Sequence, residues 1–147
     1  MVIREIKENE MWKLLELYTH LHRKDASLPE KSMLVSIWKE ITTNPRLHYF
    51  VLEQADEIIS SCTLSVIPNL TRGGRPYGLI ENVVTHAKYR RRGYGTSVLQ
   101  FALKAAWKQN CYKVMLLTGS KDPAIHSFYE KAGFKKGIKT GFIAQNN

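Results

Sequence analysis

Apolar positions change their period several times along this 147-residue chain, and each change marks an element. Val2 to Ile6 alternates with charged residues, the pattern of a half-buried strand. Met11, Leu14, Leu15, Tyr18 and Leu21 then recur at helical spacing behind Asn9, a residue suited to an N-cap. A second helical stripe, Met33, Leu34, Ile37, Trp38 and Ile41, follows Ser27-Leu28-Pro29-Glu30, which has capping-box spacing. Asn44-Pro45 ends it, because the residue before a proline avoids the helical region. His48 to Gln54 and Ile58 to Ile67 read as two strands joined at Ala55-Asp56-Glu57, an antiparallel hairpin. Pro68 to Gly78, with Gly73-Gly74 and Pro76, reads as a mobile loop.

The second half alternates strand with helix. Leu79 to Val84 is an apolar run interrupted only by Glu81 and Asn82, and Val98 to Trp107 follows as a helix. Tyr112 to Thr118 reads as a buried strand. Asp122 at the N-cap and Pro123 at the first helical position then start a helix with Ile125, Phe128, Tyr129 and Ala132 on one face, closed by Gly133. A final strand pair is expected around Phe134 to Ile143. The order predicts an α/β (α+β) fold with about four helices, in one domain over 1–147, without repeats or linkers.

Composition changes this picture little. A hydrophobic fraction of 44% with 24% charged residues is that of a soluble globular domain. No run approaches the roughly 20 apolar residues of a membrane helix, the first residues lack a signal-peptide core, and no membrane partner is expected. Cys62 and Cys111 have neither paired spacing nor companion ligands. They read as small buried residues of a reducing compartment, with the cytoplasm as the expected address and no metal site. The net charge of +9 raises the question of nucleic acid. Basic residues are scattered apart from clusters at Lys88 to Arg92 and Lys131 to Lys139, and no base-reading motif accompanies them, so no nucleic-acid partner is expected.

The chemistry begins at Tyr89-Arg90-Arg91-Arg92-Gly93-Tyr94-Gly95-Thr96-Ser97, where a strand turns into a helix. Glycines let the backbone approach a ligand, the first-turn N–H groups are free, and dipole and arginines favour an anion. A P-loop needs Gly-Lys-Ser/Thr and a dinucleotide fold a third glycine. Neither is present. Arg90 to Gly95 spells R-x-x-G-x-G and resembles the pyrophosphate loop of the GNAT superfamily of acyl-CoA N-acyltransferases. Phe128-Tyr129-Glu130-Lys131-Ala132-Gly133-Phe134 is similar to that superfamily's F-Y-E-x-x-G-F signature, and the element order matches over nearly the whole chain.

The resemblance implies a single-domain fold with a mixed central sheet, and acetyl-CoA as the acyl donor, with CoA as product, held where two parallel strands, 79–85 and 112–118, splay apart. Val83, Val84 and Thr85 would offer main-chain hydrogen bonds to the pantetheine arm. Arg91 to Thr96 would offer backbone N–H groups to the pyrophosphate, and Arg90 and Arg92 would add charge. Where the family often has Asn and Ala ahead of its F-Y pair, this chain has Asp122 and Ile125. A direct contact from Asp122 to CoA is therefore not implied, and the proline often found before the loop is missing from Thr85-His86-Ala87.

Direct transfer from a thioester to an amine needs a neutral amine, a stabilised oxyanion and a hydrogen bond or proton for the leaving thiolate. Tyr129 matches the family tyrosine near the CoA sulfur and is the candidate for the last task; its plain alternative is core packing beside Ile125 and Phe128. Glu81 is the candidate base. Its alternatives are a solvated strand end or an ion pair with Arg72 or Arg75, and His86 is a rival base. Asn82 would orient the acceptor, or is simply a polar residue at the strand end. His126 lies on the second motif helix, and His20, His22 and His48 read as structural or surface residues.

Ile80 to Val84 together with Asn110 to Val114 further resembles the glucosamine-6-phosphate N-acetyltransferases, a likeness confined to the cofactor-binding half. The expected partner is thus a small-molecule primary amine, with amino sugars and phosphorylated amines in view; a homodimer is compatible with the sequence. A protein or peptide N-acetyltransferase is the enzymatic alternative. A silent acyl-CoA sensor or a basic nucleic-acid-binding domain is the alternative of another class.

Overall fold

A computed structural model describes residues 1–146. Five strands form one sheet in the order β1-β2-β3-β4-β5. They are β1 (Val2–Glu5), β2 (Leu47–Gln54), β3 (Glu57–Ile67), β4 (Tyr77–Thr85) and β5 (Val114–Met115). The first four pair antiparallel, and β5 runs parallel to β4. Ala55 and Asp56 both adopt positive φ, so a two-residue turn closes the β2–β3 hairpin with the twist its strands require.

Alternation along the strands sorts side chains to two faces. On one face α1 (Met11–Tyr18) and α2 (Lys31–Thr43) cover Tyr49, Val51 and Val84 with Leu14, Leu17 and Trp38. On the other α4 (Tyr94–Lys108) and α5 (Pro123–Ala132) cover Phe50, Leu64 and Ile80 with Val98, Leu99 and Ala102. Thr71–Gly74 forms α3, a single distorted turn in which Arg72, Gly73 and Gly74 all have positive φ.

Several expectations change. Asn9 does not cap α1 with its side chain; it sits in a 3₁₀ turn, Glu8–Glu10. The Glu10 carboxylate accepts the Lys7 N–H at 2.8 Å and the Arg4 guanidinium at 2.8 Å, and Arg4 also bridges to Glu53. The hydrogen bonds from Arg4 hold the Glu10 carboxyl down at about 2. Ser27 does not cap α2, which starts at Lys31 and buries Trp38 while leaving Met33 and Ile37 outside. The strand expected over 112–118 is paired only at Val114 and Met115. Residues 134–146 form no strand pair: β4 and β5 pair only with each other and β3, and nothing in the tail joins their ladder.

Candidate active-site cleft

The parallel register of β4 and β5 consists of Gly78 opposite Val114 and Leu79 opposite Met115, and ends there. Three residues further, β4 bulges. Glu81 is opposite Thr63 but Val84 is opposite Ser61, so β4 spends one residue more than β3, and Asn82 takes φ 52°. Asn tolerates the left-handed region better than most residues. Loss of one neighbour and the bulge together open the sheet, and a cleft of about 800 Å³ lies between Val83 to Thr85, the start of α4, and Phe128 and Tyr129 of α5.

The loop at its mouth has the anatomy of an anion site. Gly93 caps α4 in the left-handed region, φ 83°, with no side chain capping the helix. Ser97 N–H donates to the Gly93 carbonyl at 3.0 Å, whereas the N–H groups of Tyr94, Gly95 and Thr96 have no acceptor among the described residues. A Cβ at Gly93 would meet nothing within 4 Å, so its surroundings are open and its glycine is required by φ. Gly95 differs. A Cβ there would lie 3.0 Å from Phe128 Cζ and 3.2 Å from Thr85 Oγ1, so Gly95 is required by the contact of α4 with α5 and β4. Its expected use, clearance for a ligand, is thus not what its missing Cβ provides.

The three arginines have separate surroundings. Arg90 donates from Nε to the Thr85 carbonyl at 3.1 Å and from Nη2 to the His20 carbonyl at 2.8 Å, tying the end of α1 to the end of β4. Arg92 lies over the Tyr89 ring at 5.6 Å. Arg91, at φ 62°, has no hydrogen bond, ion pair or ring contact among the described residues. The Val84 carbonyl accepts from Ser60 Oγ at 3.0 Å and the Thr85 carbonyl from Arg90.

Tyr129 is half-buried on the cleft wall, edge-on to Phe134 and tilted against Phe128. Its hydroxyl makes no hydrogen bond among the described residues. Burial, and then the Glu81 charge, raise its pKa, so the phenol keeps its proton at neutral pH. Glu81 is exposed on the α1 face of β4 and has no ion pair among the described residues. Arg75 is committed to the Asn110 and Cys111 carbonyls, and Arg72 stacks over Tyr112, so neither expected partner of Glu81 is used. Thr63, opposite Glu81, and Tyr18 bury hydroxyls that meet no hydrogen-bond geometry among the described residues, and burial pushes the Tyr18 phenol up to about 12.

Asp122 caps α5, accepting the Ala124 N–H at 2.9 Å. His126 is held by the Ser120 carbonyl at 2.7 Å, and His48 bridges Glu5 and Gln109. His86 accepts the Lys88 N–H on Nδ1, which caps the next turn. His20, expected to be a structural or surface residue, has a companion: its ring lies 4.0 Å from that of His86, and it lines the cleft with Leu21. No sequence signal joined residues 20 and 86, since only the packing of α1 over β4 brings them together. Burial lowers the His20 pKa, with the neighbouring His86 and Arg90 acting in the same direction. Cys62 and Cys111 are buried and unpaired, and burial raises the Cys62 thiol to about 12. No described helix is long and apolar enough to cross a membrane.

Comparison with known proteins gives a consistent result. A model of the acetyltransferase (GNAT) family matches residues 10–134. Glucosamine 6-phosphate N-acetyltransferase of Trypanosoma brucei brucei is 36% identical over 86 residues, 58% of this chain and 56% of that protein. A probable glucosamine 6-phosphate N-acetyltransferase 2 of Oryza sativa subsp. japonica is 35% identical over 83 residues, 56% of this chain and 48% of that protein. The chain thus spans about half the length of these curated relatives. Among solved structures, a putative acetyltransferase from Agrobacterium tumefaciens str. C58 superposes with a TM-score of 0.92 at 41% identity, covering 99% of this chain and 100% of that one.

Proposed function

The chain belongs to the acetyltransferase (GNAT) family, and from that premise we propose that it moves an acetyl group from acetyl-CoA directly to the primary amine of a small molecule, an amino sugar or phosphorylated amine being the first class to test. The observation that carries the proposal is the cleft itself. Uncapped N–H groups at a helix start and the unpaired edge of β4 stand on one side, and a protonated phenol stands on the other.

Acetyl-CoA, when bound, supplies an activated thioester. The residues present fit it: the space over Gly93 is open, and the N–H groups of Tyr94 to Thr96 are free for phosphate oxygens. Arg91 lines the cleft with them and has no partner among the described residues, while Arg90 shapes the loop and Arg92 adds charge from its seat on Tyr89. Val83, Val84 and Thr85 present main-chain groups where β5 has diverged. Tyr129 Oη holds a proton for the departing sulfur. Exposed Glu81, free of any ion pair, takes a proton from the acceptor amine, and Asn82, turned outward by the bulge, orients that amine. His86 is the weaker base, because its Nδ1 is committed to Lys88 N–H. The match of motif spacing over the chain supports reading it as one domain, and the buried free thiols support a cytoplasmic address.

The test is an acetyl-CoA-dependent thiol-release screen over amino sugars, polyamines, amino acids and peptides. Turnover with an amino-sugar phosphate above all others is the expected result. Turnover confined to peptides would replace the acceptor class, and CoA binding without any turnover would leave only an acyl-CoA sensor.

A further inference from the structure

A row of polar side chains crosses the α1 face of the sheet beside the bulge. Tyr49 of β2 is opposite Thr63 of β3, and Thr63 is opposite Glu81 of β4. Tyr18 of α1 packs on the apolar cluster of Val51 and Val84 next to this row, and on the cluster that Tyr49 flanks. Thr63 is 6% exposed and the Tyr18 hydroxyl is enclosed as well, yet neither meets hydrogen-bond geometry among the described residues. Ser61, two residues earlier in β3, shows the ordinary solution, its Oγ donating to the Phe50 carbonyl at 2.9 Å. Polar groups do lie within reach. Burial, then the Tyr49 phenol, raise the Tyr18 pKa against the hydrogen-bonding pull of the Thr63 and Asn82 side chains. Thr63 exerts the same pull on Tyr49 against its burial.

Buried hydroxyls without partners lower stability, so the place they occupy is informative. They border the bulge. Between the pairs Thr63–Glu81 and Ser61–Val84, β3 has Cys62 alone while β4 has Asn82 and Val83, so no ladder partner on β3 fixes Asn82. We propose that Tyr18 and Thr63 are positioning residues of the acceptor site: their hydroxyls close on the Asn82 side-chain amide from beneath and set how Asn82 and the adjoining Glu81 meet the acceptor amine. This rests on the reading of Asn82 and Glu81 given above. Each hydroxyl can donate and accept, and the amide does both, so the three groups can form one connected set. An amine that engages one amide atom from outside fixes the side-chain torsion and presents the other atom inward to Tyr18. Such a set, complete, holds orientation firmly in a low-dielectric interior; incomplete, it destabilises.

The signature is stability and turnover moving in opposite directions. Tyr18→Phe and Thr63→Val remove a hydroxyl and keep the shape, so the urea midpoint should stay or rise. With the best acceptor of the thiol-release screen, kcat/KM for the acceptor should fall ~10–100-fold, the effect of a displacement of about 1 Å, while KM for acetyl-CoA stays unchanged. Thr63→Ser, which keeps the hydroxyl, should recover most of the turnover lost in Thr63→Val. In an Asn82→Ala background Tyr18→Phe should cost less than ~2-fold, since nothing remains for it to orient. Unchanged turnover in Tyr18→Phe and Thr63→Val beside an impaired Asn82→Ala overturns this proposal and leaves the reading of Asn82 standing. Full turnover in Asn82→Ala, or no turnover of the wild-type chain on any acceptor, ends that reading and this proposal with it. An equal penalty with and without Asn82, or a parallel loss of stability and turnover, also overturns it, because the two side chains would then only pack. If Tyr18→Phe does not fold, the two Thr63 variants decide.

Discussion

Placing the ring of Phe128 in the space beside Gly95 leads to a quantitative expectation. Gly95→Ala puts a methyl group 3.0 Å from Phe128 Cζ, 3.2 Å from Cε2 and 3.2 Å from Thr85 Oγ1. Overpacking of this kind costs ~1–3 kcal/mol. Alanine in a helix gains up to ~1 kcal/mol over glycine, and less in the first turn, so the net loss should be about 1–2 kcal/mol. Removing the ring relieves most of that cost: in a Phe128→Ala background the helix term is opposed only by the 3.2 Å contact with Thr85 Oγ1, so Gly95→Ala should be near neutral. The double-mutant cycle therefore predicts a coupling of about 1–2 kcal/mol between two residues that are 33 apart in sequence. Gly93→Ala is the control. Its Cβ has open space, and the cost of holding alanine at φ 83°, ~1–2 kcal/mol, should be the same with or without the ring. Guanidinium unfolding of the variants measures all terms, and calorimetric titration with CoA reports whether the cleft survives. A Gly95–Phe128 coupling below ~0.5 kcal/mol, the range of independent sites, would refute the packing argument and return Gly95 to a role in ligand clearance.

Three further outcomes are expected. Tyr129→Phe should lower turnover ~10–10⁴-fold with acetyl-CoA affinity barely changed, and full turnover across the pH–rate profile would reduce Tyr129 to packing; Glu81→Gln should shift the rising limb of that profile to higher pH, most for acceptors with basic amines. The Glu10 carboxyl is held at about 2 against an ordinary 4.5, so its pairing contributes stability in full above 4.5 and loses it as pH falls toward 2; Glu10→Gln should cost at most ~3 kcal/mol at neutral pH, and urea unfolding should show the gap closing over that acid window. Asp122→Ala removes the acceptor of the Ala124 N–H and should cost ~1 kcal/mol without altering CoA affinity, and a larger effect on binding than on unfolding would give Asp122 a place in the site.

The local signals of this chain were written in residues close together. Asp122, Pro123 and Gly133 set both ends of α5 through a cap, a fixed φ and a left-handed stop, all interactions within a few residues. The Gly93 cap and the free N–H groups behind it are equally local, as is the hairpin at Ala55-Asp56. Wherever the outcome depended on distant neighbours, sequence fell short. Apolar character over 112–118 reads the same whether or not a partner strand is present, and only the divergence of β5 from β4 after Leu79 and Met115 left the cleft open. Asn82 looked like a polar strand residue until its register with β3 required one extra residue and a positive φ. His20 met His86 across 66 residues because α1 packs on the sheet beside the end of β4. The expected strands after Phe134 have strand-forming residues, yet among the described residues the segment pairs with no strand, although β5 has an open edge. Propensity states what a segment can become, whereas pairing, burial and register, each requiring a second segment in place, decide what it is.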